Sequence, residues 1–158
     1  MSTYYLRSER PYTEKKGRLS FTLKGVNAAK VLKKQMPGKW VKTTMIDGFS
    51  NRIMGGSGSY AIVIRNKETG VEEICYIGSS KSVSVRLYSH DIISFLTFYL
   101  SSDFAIDVYI LYVDSFRSVE NILIKTICPF LNHKKPETRR FEIGKKSYLK
   151  QLNGTPKG

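Results

Sequence analysis

Residues 58–87 read GSYAIVIRNKETGVEEICYIGSSKSVSVRL, and the fold follows from how this stretch is parsed. Residues 59–65 are rich in β-branched and aromatic side chains, the composition of a strand. Residues 66–71 contain Asn66 and Gly70, which suit a turn, and 72–77 return as a second strand to make a β-hairpin. Gly78 and three serines among residues 79–82 lead into a helix that begins near Val83. Further on, residues 105–113 predict a third strand, and 118–128 a second helix that stops before Pro129. The order β-β-α-β-α predicts an α+β core with a small, largely antiparallel three-stranded sheet flanked by helices.

The flanks differ from this core in charge. The whole chain of 158 residues carries a formal +13. Residues 1–57 hold twelve Lys/Arg against three Asp/Glu, residues 58–133 six against eight, and residues 134–158 eight against two. A near-neutral core between basic N- and C-terminal extensions is the pattern of a folded body with arms that grip a polyanion. Neutralising phosphates releases condensed counterions and gives affinity with little dependence on sequence. Lys30, Lys33, Lys34 and Lys39 cluster on and just after a short helix expected over 26–35, whose apolar side is Ala28, Ala29, Val31 and Leu32 and which Pro37-Gly38 ends. Lys81, Lys134, Lys135, Arg139 and Arg140 add to the expected DNA-binding surface. The first 23 residues read as an arm or irregular strands, and 53–59, rich in Gly and Ser, as the linker into the core.

Other classes are excluded on composition. Cys75 and Cys128 are too far apart for a metal-ligand pair and too few for a disulfide scaffold, which suits a reducing, cytoplasmic setting. No run of eighteen apolar residues predicts a membrane span, and the N-terminus lacks the apolar stretch of a signal peptide. Two histidines, His90 and His133, are too few for the histidine set of ββα-metal nucleases. There is no carboxylate cluster of the kind that holds two metal ions, and no Walker A loop.

What remains is a scattered set. Tyr60 lies on the first strand, sharing a face with Ile62 and Ile64; Tyr76 ends the second, sharing one with Ile74 by the period of two. A hairpin can bring two such phenols into one cleft, although each alone is more often a core or sheet-surface tyrosine. Val83, Arg86, Leu87 and His90 fall at i, i+3, i+4 and i+7, one helix face with two polar groups on it. Edge positions that snorkel to water are the competing account of those two. Glu120 has Leu123, Ile124 and Ile127 as helical neighbours, surroundings in which an ionised carboxylate calls for a cation or guanidinium. A partly exposed glutamate at the helix start, favoured by the dipole, is the alternative.

These residues resemble the GIY-YIG nuclease family. Gly58-Ser59-Tyr60 and Cys75-Tyr76-Ile77-Gly78 are similar to its paired triplets, with Ser59 where isoleucine or valine is usual and a longer hairpin between. The arginine ten residues after the second tyrosine is Arg86, and His90 matches a histidine found one turn later in intron homing endonucleases. Glu120 looks like the family's metal-binding glutamate, and Leu131-Asn132 like its closing asparagine motif; the match spans residues 58–133.

The resemblance implies a DNA endonuclease using one Mg²⁺, for which Mn²⁺ substitutes, held by Glu120. Arg86 is expected on the scissile phosphate and His90 as phosphate ligand or proton relay. Asn132 is expected to fix the geometry. Tyr60 is expected as general base with Tyr76 positioning the water, or the two exchanged. A phenol with its ordinary pKa of about 10 needs nearby cations to serve as that base. The implied role is a phage or mobile-element enzyme, a monomer or a transient dimer on DNA. The alternative is a non-catalytic nucleic-acid-binding module on the same fold.

Overall fold

The computed structural model describes residues 12–23, 25–45 and 53–132. Strands β1 (Tyr12–Lys15) and β2 (Arg18–Phe21) form a hairpin; α1 (Ala28–Gln35), β3 (Val41–Met45), β4 (Gly58–Asn66) and β5 (Glu72–Ser80) follow. Then come α2 (Val83–Tyr88), α3 (Asp91–Tyr99), β6 (Phe104–Tyr112), α4 (Phe116–Ile127) and a 3₁₀ turn over Phe130–Asn132. The fold is α+β. Its main sheet has four strands in the order β3-β6-β4-β5, every pair antiparallel.

That count corrects the expected three. The extra strand, β3, comes from the basic N-terminal part of the chain and pairs with β6 from Val41↔Ile110 to Met45↔Ile106. Its sequence, VKTTM, has the β-branched content of a strand, but as an edge strand it buries only Thr43 fully, so it lacks an apolar alternation. The first 23 residues likewise include a regular hairpin, and its Leu19 and Phe21 enter the core. The expected linker over 53–59 starts on buried Ile53 and ends as the first two residues of β4.

Helices cover both faces of the sheet. On one, Tyr60, Ile62 and Ile64 of β4 pack with Val83 and Leu87 of α2, Phe95 and Leu96 of α3, the β1–β2 hairpin, and Phe130 and Leu131. On the other, Ala61, Val63, Ile74, Ile77 and Tyr109 pack against Ala28 and Leu32 of α1 and Val119 and Leu123 of α4. Glu72 fastens the start of α1 to β5, its Oε1 accepting from the Ala28 N–H at 2.7 Å while Asn27 caps the helix through Lys30 N.

A β-bulge sets the register that matters. Ile62 faces Tyr76 but Val63 faces Ile74, so Cys75 is an extra residue in β5, its thiol on the Ile62 carbonyl at 3.3 Å. Cys75 and Tyr76 therefore pack on the Tyr60 face and Ile74 on the opposite one, correcting the strict period of two that put Tyr76 with Ile74. The bulge is what brings the two phenols together.

Between β5 and β6 the expected single helix is two, broken at Ser89. His90 is thus not on the α2 face with Arg86. It is the N-cap of α3, its Nδ1 accepting from Ile92 N at 3.1 Å.

Candidate active site

Tyr60 forms the third residue pair from the end of the β4–β5 ladder, opposite Gly78. A Cβ on Gly78 would stand 2.5 Å from both Cζ and Oη of Tyr60, so the phenol lies directly over the glycine and only a hydrogen there leaves room. Gly58 has a similar reason. A Cβ would meet the Leu111 carbonyl oxygen at 2.7 Å, where β6 runs close alongside. Both triplet glycines are thereby explained by close approach rather than by turn geometry.

Around the Tyr60 ring three other predicted residues converge. Tyr76 is tilted against it with centroids 6.5 Å apart. His90, only 1% exposed, stands edge-on to both rings, 5.5 Å from Tyr60 and 5.2 Å from Tyr76. Buried as deeply as the core residues, it is not an edge histidine reaching water. With Nδ1 engaged as an acceptor, the neutral imidazole carries its proton on Nε2. Arg86, half-buried on α2, lies within electrostatic range of the Tyr60 phenol.

Glu120 approaches from the far side of β5. It is the fifth residue of α4, and the first turn of that helix has no acidic residue, so dipole preference at a helix start does not account for it. Its Oε1 accepts a 2.6 Å hydrogen bond from the Ser79 hydroxyl, and its charge reaches both phenols. Asn132 clamps the same strand. It accepts from Ile77 N at 2.8 Å and donates to Ile77 O at 2.7 Å, satisfying both main-chain groups of the residue between Tyr76 and the Gly78 that faces Tyr60.

The electrostatics are those of a buried phenol, Tyr60, beside a half-buried one, Tyr76, with one guanidinium and one carboxylate in range. Burial pushes the Tyr60 phenol well above its ordinary value, with Tyr76 adding to the rise; Arg86 opposes it and Glu120 reinforces it. Burial also raises Tyr76, Arg86 pulling it down and Glu120 up. Both phenols therefore hold their protons in the protein alone. The shift runs against a ready-made tyrosinate, and the group that relieves it is the Arg86 guanidinium.

Sequence reasoning missed Gly78 as the seat of Tyr60, Ser79 as the partner of Glu120, and Ser59, whose buried hydroxyl donates to the Gly78 carbonyl at 2.9 Å. A glycine at the end of a strand, flanked by isoleucine and serine, was the available signal. Of the basic residues, Lys30, Lys33, Lys34, Lys39 and Lys81 are all exposed. Lys81 lines a cavity of about 320 Å³ with Arg117 and the start of α4. Lys134, Lys135, Arg139 and Arg140 lie outside the described residues.

Among the described residues no three His, Cys, Asp or Glu side chains group as a metal-ligand set, and no helix is long and apolar enough to cross a membrane. Comparison with family models, with curated proteins and with solved structures finds no match to the chain.

Proposed function

We propose that the chain is a divalent-metal-dependent DNA endonuclease of the GIY-YIG type. What supports the reading is that Arg86 on α2 and Glu120 on α4 both act electrostatically on the phenols of Tyr60 and Tyr76, four groups drawn from four elements. A core that served packing alone has no use for a guanidinium and a carboxylate within electrostatic range of two buried phenols.

A single half-buried carboxylate with a neighbouring hydroxyl suits a hard cation that keeps most of its waters, such as Mg²⁺ or Mn²⁺. Glu120 would hold it, and the bound ion supplies charge neutralisation at the phosphate under attack. The chain's own groups do the remaining work. Arg86, a fixed cation with several N–H donors, takes the non-bridging phosphate oxygens as their charge develops. Its charge also lowers the Tyr60 pKa, so a guanidinium near the phenol favours loss of the proton that the base role requires. Tyr76, less buried than Tyr60, orients the attacking water. His90 packs edge-on to both rings and keeps them in place while its neutral imidazole avoids adding charge. Asn132 holds the strand that carries Tyr76, and Gly78 lets Tyr60 lie flat against it. The basic extensions and Lys30, Lys33, Lys34 and Lys39 supply the sequence-independent grip on the duplex.

Nicking of supercoiled plasmid tests this reading. Cleavage is expected with Mg²⁺ or Mn²⁺ and none after chelation. Salt-sensitive DNA binding without cleavage in either metal would contradict it and favour the non-catalytic module.

A further inference from the structure

At the opposite end of the sheet lies a groove of about 870 Å³ between α3 and the ends of β3 and β6. Its cationic wall is Arg18, Arg65 and Lys67, and no carboxylate lines it. Its floor is apolar, with Met45, Leu96 and Phe104 among its residues, and the hydroxyls of Thr97, Ser101 and Ser102 stand at the side.

The three cations are not equivalent. Arg65 is held by the fully buried Asp107, with Nε on Oδ2 at 2.8 Å, so its charge is matched from beneath. Arg18 and Lys67 are exposed, and neither forms an ion pair among the described residues. Arg18 donates to the Phe98 carbonyl, which orients its guanidinium without neutralising it. Two exposed cations beside an apolar lining match the backbone of a duplex, whose phosphates take the charges while the sugars lie against the apolar side chains. The volume is that of a whole ligand site, roughly 300–1,000 Å³, and far exceeds what one inorganic anion fills.

The groove also lies on a line with the candidate active site. Helix α3 is capped at its start by His90, which packs on both phenols, and at its end by Leu100, which lines the groove. Strand β4 likewise runs from Tyr60 to Arg65, a rise of about 17 Å or roughly five nucleotide steps of a duplex strand.

We infer that this groove is a second DNA-backbone site, in which Arg18 and Lys67 bind phosphates several nucleotides from the cleavage point. The inference rests on the DNA-binding half of the proposed function and not on catalysis. It is tested in a cleavage-blocked Glu120→Ala background by fluorescence-anisotropy titration of a duplex of about 30 base pairs over a range of salt concentrations. Adding Arg18→Ala and Lys67→Ala is expected to weaken binding about tenfold and to lower the slope of log affinity against log salt by about 2, near 0.9 per phosphate contact. Lys67→Glu alone should weaken binding further than Lys67→Ala. An unchanged slope overturns the inference, and so does a loss of affinity with the slope intact. Because only binding is read, plasmid that stays uncut refutes the nuclease reading and leaves this result standing. The reverse also holds.

Discussion

Two carboxylates sit beside the same sheet and are treated in opposite ways. Asp107 on β6 is fully buried and saturated: Arg65 reaches both oxygens at 2.8 and 3.3 Å, Thr44 donates at 2.8 Å, and Lys42 stands 3.9 Å away. Glu120 on α4 is half-buried, with a serine hydroxyl as its hydrogen-bond donor and no ion pair among the described residues. A buried charge meant only to stand is surrounded by its counter-charges, because desolvation leaves no other stable arrangement. A carboxylate meant to take a cation from outside is left partly in reach of water. The contrast separates a fastening of the fold from a candidate place of chemistry.

The sharpest break in that comparison is Asp107→Ala. It leaves the Arg65 guanidinium beside an apolar gap and should cost about 3–5 kcal/mol of stability in urea melts, with cleavage per folded molecule unchanged. A cost near zero would mean that the pair is ornamental and the distinction empty. Arg86→Ala is the mirror case. It should lower cleavage about 10²- to 10³-fold, as loss of a transition-state charge partner does, while melting midpoints move little. Equal loss of stability and rate would move Arg86 to the structural class.

Gly78→Ala comes next. The added methyl has to displace the Tyr60 ring, costing about 1–3 kcal/mol and shifting the near-ultraviolet tyrosine signal. The same change at Gly70, where a Cβ meets no atom within 4 Å, should leave that signal untouched.

The smallest effect is one of pH. Tyr60 and Tyr76 have folded pKa values above the ordinary 10.0, so the folded state holds their protons more tightly than the unfolded chain. Their contribution is therefore complete below about pH 10 and is lost as pH rises from there through the folded values. Denaturation midpoints should fall above that pH, and Tyr60→Phe should flatten the fall. An unaltered alkaline limb in the variant would remove the burial argument for Tyr60.

Much of this was legible in the chain. The 59–65 and 72–77 strands, the helix after Val83 and the helix carrying Glu120 could be read because their apolar patterns are strong and their turns carry Asn66, Gly70 and Gly78. The Cys75 bulge could not be read. One extra residue leaves composition unchanged and declares itself only through the partner strand. β3 escaped because an edge strand buries too little to alternate, and the break at Ser89 because Tyr88, Ser89 and His90 carry no proline or glycine to announce it. The site residues could be named before the fold was known, but the partner of each could not. Glu120 needed Ser79, and Tyr60 needed the empty space over Gly78.

The central claim is that Glu120 serves a metal ion rather than the fold, and one paired measurement addresses it. Wild-type chain and Glu120→Ala are compared on the same supercoiled plasmid in magnesium, with DNA affinity measured alongside. Nicking is expected from the wild type and none from the variant, with affinities within about twofold, since every lysine and arginine is retained. Nicking by both proteins at the same rate would contradict it.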